Sequence, residues 1–134
     1  MDIVQKLIRT HGTNNPLKLA EFSGVTLYFE DLGENIWGYY TKLHRIPQIH
    51  LNNRLSNLKI IFAAGHELGH HFLHPHINTP FLKKNTLFSI NKIEREAHNF
   101  SVGLMVALET PLTDESREEF LIRCGVPSEF HRFY

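Results

Sequence analysis

Hydrophobic positions along this chain switch between a helical and an alternating period, and each switch marks an element. Over residues 2–10, Ile3, Val4, Leu7 and Ile8 share one face at three- and four-residue steps, which predicts a short amphipathic helix. Asn15-Pro16, a capping residue followed by proline at the first helical position, opens a second helix that reaches Phe22 and stops at Gly24. Three β-forming runs follow: Val-Thr-Leu-Tyr-Phe at 25–29, Ile-Trp-Gly-Tyr-Tyr-Thr at 36–41 and Pro-Gln-Ile-His-Leu at 47–51. Turns at Asp31-Leu32-Gly33 and around Leu43 to Arg45 separate them.

From residue 57 the helical period returns. Ile61, Ala64, Gly65, Leu68 and Phe72 form the buried stripe of a proline-free helix over residues 57–74. Gly65 and Gly69 each cost that helix about 1 kcal/mol relative to alanine. Two glycines four apart therefore predict that another backbone approaches that face closely. Residues 75–91 hold two prolines and read as a long loop anchored by Phe81, Leu82, Leu87 and Phe88, either a lid or cleft wall or a plain connection. A second long helix over residues 93–108 places Ile93, Ala97, Phe100, Leu104 and Ala107 on its core stripe. Thr113-Asp114-Glu115 caps a further helix to Cys124, Gly125 ends it, and Pro127-Ser128 opens a short C-terminal turn. The expected architecture is α+β: one domain over residues 1–134, with a small three-stranded sheet packed on the two long helices and flanking N- and C-terminal helices.

Composition narrows the partners. The 134 residues carry equal numbers of acidic and basic side chains, so the formal net charge is zero and direct nucleic-acid binding is disfavoured. A single cysteine, Cys124, excludes an internal disulfide and a cysteine-rich zinc site. The N-terminal residues do not form a secretory signal, and no apolar run approaches the roughly 18 residues of a membrane span. A cytoplasmic protein without a membrane partner is expected.

The chemistry is concentrated at His66-Glu67-Leu68-Gly69-His70. Residues four apart on a helix lie one turn above each other, so His66 and His70 can aim imidazole nitrogens at one point, where a metal ion fits. Glu67 projects beside that point, where a carboxylate can act as general base. A catalytic zinc normally has three protein ligands, so a third is sought in the second long helix. At 100° per residue, Glu96 lies about 40° from Phe100 and about 60° from Ile93, on the core stripe, whereas Glu94 falls on the far side. A carboxylate on a core stripe is expensive unless it is paired or ligates a cation, so Glu96 is the expected third ligand. His98, about 160° round the helix from Glu96, cannot share its metal without a distorted helix and is expected to be partly exposed or to support the ligands from behind, and His74 is expected to support them as well. His71 is expected at the surface, as are His11, His44, His50, His76 and His131. Imidazole and carboxylate donors in an open site make Zn2+ the expected ion.

These residues resemble the ImmA/IrrE family of zinc metallopeptidases. His11 to Leu17, Gly24-Val25, Asp31-Leu32-Gly33 and Gly38-Tyr39-Tyr40 are similar to that family's N-terminal half. His66 to His70 with His74 is similar to its zinc helix, and Glu94-Arg95-Glu96-Ala97-His98-Asn99-Phe100-Ser101 to its second ligand helix. Gly125 to Ser128 is similar to its C-terminal turn. The resemblance implies zinc bound by His66, His70 and the Glu directly before Ala97. It further implies a zincin-like domain and a specific protein substrate, such as a repressor of the phage or mobile element that encodes the enzyme. The chain departs from the pattern at His98, where the family often has Asn or Asp, and at Val106-Ala107, where it often has Met-Pro.

The expected reaction is metal-assisted hydrolysis of one peptide bond, with residues 48–51 as an edge strand for an extended substrate. The rival expectation is a module that grips a repressor without cutting it and keeps its metal for structure.

Overall fold

The computed structural model describes residues 2–83 and 91–134. The expected anchors Leu87 and Phe88 lie outside the described residues. Helix α1 (Ile3–His11) begins with a capping box between Asp2 and Gln5 and ends at Gly12 in the left-handed region, φ 70°. Helix α2 (Pro16–Phe22) has Asn15 as its cap, the side chain accepting from Leu17 N–H, with proline at the first helical position. Strands β1 (Thr26–Glu30), β2 (Ile36–Leu43), β3 (Ile46–Asn52) and β4 (Leu82–Lys83) then form one sheet, joined on one face by helix α3 (Asn57–Leu73). Helices α4 (Lys92–Val106) and α5 (Arg117–Arg123) and a C-terminal 3-10 turn (Ser128–Phe133) complete the described chain.

The sheet is mixed, in the order β1-β3-β2-β4. β3 runs parallel to β1 and antiparallel to β2, and β4 adds an antiparallel pair on the other side of β2. The expected α+β class holds, with four strands instead of three, because two residues of the expected loop pair with β2. β3 is interior: each of Gln48, Ile49, His50 and Leu51 has a partner on β1 and another on β2. Residues 48–51 therefore cannot be the edge that sequence suggested. β4 pairs with β2 only at Ile36 and Gly38, so β2 beyond Gly38 presents the outer edge there among the described residues.

Asn52 ties the sheet's end together and is itself buried. Its amide donates to Gly33 O at 2.8 Å and Ile36 O at 2.7 Å, while its oxygen accepts from Leu32 N–H and Arg54 N–H at 3.3 and 3.1 Å. One side chain thus satisfies four backbone groups that two turns would otherwise leave unpaired.

Helix α3 is the centre of the molecule. Every residue from Phe62 to His70 is buried, with the sheet residues Ile49 and Leu51 in the same core. The two glycines do what their spacing predicts. A Cβ on Gly65 would stand 2.3 Å from Ser101 Oγ, and one on Gly69 would stand 3.1 Å from Phe100 Cβ, so α4 sits directly on the glycine face. Ser101 then reaches across to donate to Phe62 O at 2.8 Å.

Helix α4 is rotated relative to the expected stripe. Its buried residues are Glu94, Ala97, His98, Phe100, Ser101, Val102, Leu104 and Met105, while Ile93 is half-buried and Ala107 is exposed beyond the helix end. Glu94, His98 and Ser101 reach the histidines and backbone of α3, while Phe100 packs on Gly69 of the same helix. Helix α5 starts later than expected, since Ser116 and Glu119 form the capping box and Thr113 does not cap.

Candidate metal centre

Asn91 caps α4 by accepting from Glu94 N–H at 3.0 Å, which fixes Glu94 in the first helical turn. An anionic side chain is favoured there by the exposed N–H groups of the helix start. From that position Glu94 reaches the two histidines of α3. Its Oε1 lies 2.7 Å from His70 Nε2 and its Oε2 lies 3.4 Å from His66 Nε2. The two Nε2 atoms are 3.1 Å apart. Glu67 Oε2 stands 4.0 Å from His66 Nε2. His66, Glu67 and His70 are wholly buried, and Glu94 nearly so.

The structure therefore brings His66, His70 and Glu67 together, as the sequence predicts, but with Glu94 in the place expected for Glu96. The Glu96 carboxylate points away and is half-exposed, with His74 Nε2 at 3.4 Å. The cause is the rotation of α4: the residue drawn onto the core stripe by Phe100 and Ile93 lies at its margin. His98 and His74 stand where supporting groups were expected. His66 Nδ1 is 3.0 Å from His98 Nδ1, and His70 Nδ1 is 3.0 Å from His74 Nδ1.

Other histidines depart from the expected surface role. His71 is half-buried with its Nδ1 2.8 Å from Tyr40 Oη. His50 is stacked between Tyr28 and Tyr39 with Glu30 at its Nδ1. His131 is buried with its Nε2 2.9 Å from Val126 O. His44 and His76 are exposed, as expected.

Electrostatics follow from burial and from the crowding of these groups. Burial alone would raise the Glu94 pKa, but the close approach and charge of His66 and His70 outweigh it and hold the carboxyl at about 2. Burial first, then the negative charge of Glu94, pushes Glu67 well above the usual carboxylate range. Burial also lowers His66, against the opposing pull of Glu94. His98 is pushed down to about 3 by burial and then by the charge of His66.

Both Glu67 oxygens and Glu94 Oε1 are buried without an aligned hydrogen-bond donor. Two imidazole nitrogens facing each other, with three acceptor oxygens left unsatisfied around them, are poorly served by protein alone. The ligand atoms of His66, Glu67 and His70, and those of His66, Glu94 and His98, lie within 4.8 Å of one another, so the donor set fits a divalent cation. Glu94 was missed because hydrophobicity alone defined the stripe. The signals that pointed to it were its place three residues after the capping Asn91 and its i, i+4 and i, i+7 relation to His98 and Ser101.

Among the described residues no helix is long and apolar enough to cross a membrane. No solved structure matches the chain. Two curated proteins do. One, named uncharacterized immunity region protein 2, of Bacillus phage phi105, is 37% identical over 130 residues, covering 94% of this chain and 82% of its own length. The other, named metallopeptidase ImmA, of Bacillus subtilis (strain 168), is 34% identical over 119 residues, covering 88% of this chain and 66% of its own length. The profile of the peptidase M78 family, described as the IrrE N-terminal-like domain, matches residues 20–124, which span α3 and α4 and so every group of the metal centre. On that match and those identities, the chain belongs to the peptidase M78 family of IrrE N-terminal-like domains.

Proposed function

We propose that the chain is a zinc-dependent endopeptidase that cuts one peptide bond in a specific regulatory protein, a repressor of the phage or mobile element being the favoured substrate. The single observation that carries this reading is the convergence of His66 Nε2, His70 Nε2 and the Glu94 carboxylate beside the unpartnered carboxylate of Glu67. His66, His70 and Glu94 would hold the ion. Bound there, zinc would polarise a peptide carbonyl and make a water molecule acidic enough to lose its proton near neutral pH.

The chain's own residues supply the rest. Glu67 is the general base: both its oxygens lack a hydrogen-bond partner and stand beside the ligand set, so its carboxylate can take the water's proton and then return it to the leaving amine. Glu94, held ionised, keeps a negative charge on the ligand set. A Cβ at Gly38 would stand 2.8 Å from His50 O and 3.3 Å from Leu51 Cδ2, which is why glycine is needed there, and 3.7 Å from Glu67 Cγ, so β2 passes beside the base. An extended substrate would pair with the outer edge of β2 beyond Gly38, the edge next to the base, in place of the interior β3.

The name of one relative, metallopeptidase, supports the reaction class, and the name of the other, immunity region protein, supports the regulatory setting. The rival reading, a module that binds a regulator without cutting it, has one observation on its side: Glu67 is wholly buried, so a substrate reaches it only after neighbouring chain moves. Glu67→Gln separates the two. It keeps the volume and the zinc affinity to within a few-fold but lowers the cleavage rate of the repressor from the same genetic neighbourhood by at least about a thousandfold, measured as appearance of two fragments. Undiminished repressor inactivation by the Gln variant would sink the hydrolase and leave the binding module.

A further inference from the structure

Behind the metal centre the structure places two arms of histidine, and they end differently. A neutral imidazole carries one proton, so an imidazole that offers its Nε2 lone pair to a cation must hold its proton on Nδ1. His66 and His70 both turn Nε2 toward each other and toward Glu94, so each has an Nδ1–H that needs an acceptor. For His70 that acceptor is His74 Nδ1 at 3.0 Å. His74 can accept there only if its own proton sits on Nε2, and Nε2 lies 3.4 Å from Glu96 Oε1, a group that accepts and cannot donate when ionised. Every N–H on this arm then points outward, from His70 through His74 to Glu96.

The other arm has no such terminus. His66 Nδ1–H meets His98 Nδ1 at 3.0 Å, which puts the His98 proton on Nε2. That Nε2 is buried without a hydrogen-bond partner, and the His98 ring lies against Phe130 and Phe133, with centroids at 4.9 and 4.6 Å. Beyond its contact with His66, only packing holds His98, whereas a hydrogen bond to a carboxylate can set the proton of His74.

We propose that Glu96 is a positioning residue for the metal centre: it fixes the tautomer of His74 and, through it, keeps the proton of His70 on Nδ1 and the lone pair on Nε2. Without Glu96, His74 is free to carry its proton on Nδ1 and donate it to His70 Nδ1. His70 would then be protonated on Nε2 and unable to take a metal. Outer groups of this kind contribute about 10- to 100-fold to metal affinity. Glu96 is half-exposed and its contact is long, so the lower end, about tenfold, is expected.

This inference rests on the zinc reading above, and its test keeps the two apart. Zinc dissociation constants are measured by competition with a chromophoric chelator for the wild type, Glu96→Ala, Glu96→Gln and Glu96→Lys, and histidine tautomers are read from long-range 15N NMR of the zinc-free proteins. Glu96→Ala should weaken zinc about tenfold. Glu96→Gln, whose amide oxygen still accepts, should restore most of the loss. Glu96→Lys, which can only donate, should be weaker than Ala, and its His74 should carry the proton on Nδ1. Zinc constants for Ala and Lys within twofold of wild type would overturn the proposal, as would wild-type His74 protonated on Nδ1. If the wild type bound no zinc, the reading of the centre would fall, and the His74 tautomer would still decide the relay.

Discussion

Substituting Gly65 with alanine tests whether the close approach of α3 and α4 is what assembles the metal centre. In isolation the change favours the helix by about 1 kcal/mol, because glycine surrenders more backbone freedom on folding. Here the new methyl group would meet Ser101 Oγ at 2.3 Å, Ser101 Cβ at 3.2 Å and Ser101 Cα at 3.4 Å. The hydroxyl can rotate away only by giving up its 2.8 Å hydrogen bond to Phe62 O, which costs about 1 kcal/mol. The crowding against the two carbon atoms is relieved only by moving α4, an overpacking cost of about 1–3 kcal/mol. The net expectation is a loss of about 2 kcal/mol, or about 7 °C in Tm for a chain of this length.

The displacement has a functional consequence, since α4 carries Glu94 while α3 carries His66 and His70. A shift of a few tenths of an ångström lengthens separations that now measure 2.7 and 3.4 Å. Urea denaturation in chelator reads the stability, and chelator competition reads zinc affinity, which should fall several-fold. Ser101→Ala removes the hydroxyl, so Gly65→Ala should cost at least about 1 kcal/mol less on that background than alone, a coupling that a double-mutant cycle resolves. A Gly65→Ala protein as stable as wild type or more so, with unchanged zinc affinity, would refute the account of both glycines.

Two further outcomes follow from the structure. Glu94→Ala should abolish the gain in stability on adding zinc, about 2.7 kcal/mol for the wild type at a hundred times its dissociation constant, while Glu96→Ala, binding about tenfold more weakly, should keep about half of it at the same zinc concentration; equal zinc-dependent shifts in Tm for the two variants would restore Glu96 as the ligand. Asn52→Asp keeps the acceptor for Leu32 and Arg54 but turns a buried carboxylate toward Gly33 O and Ile36 O, and should destabilise by about 3 kcal/mol in urea titrations at neutral pH; a cost under about 1 kcal/mol would show that the turns hold without it.

Where local chemistry decides an element, the sequence was sufficient. Proline after Asn15, the glycine pair on α3 and the His66-Glu67-x-x-His70 spacing each admit few alternatives, and all three stand in the structure as expected. Where a partner decides, it was not. β4 is two residues long and exists only because β2 offers an edge, so no period could announce it. The exchange of Glu96 for Glu94 has the same origin. A helix packed on an apolar neighbour buries its most apolar line, and on that assumption Phe100 and Ile93 drew Glu96 inward. α4 packs instead on a helix face made of glycine backbone and histidine, where Glu94, His98 and Ser101 find polar partners beside the ring of Phe100 on Gly69. The two glycines of α3 already carried that information. Gly65 sits against the small Ser101 and Gly69 against the ring of Phe100, so α4 rests on both glycines, and Glu94, seven residues before Ser101 on the same line, is thereby turned toward His66 and His70.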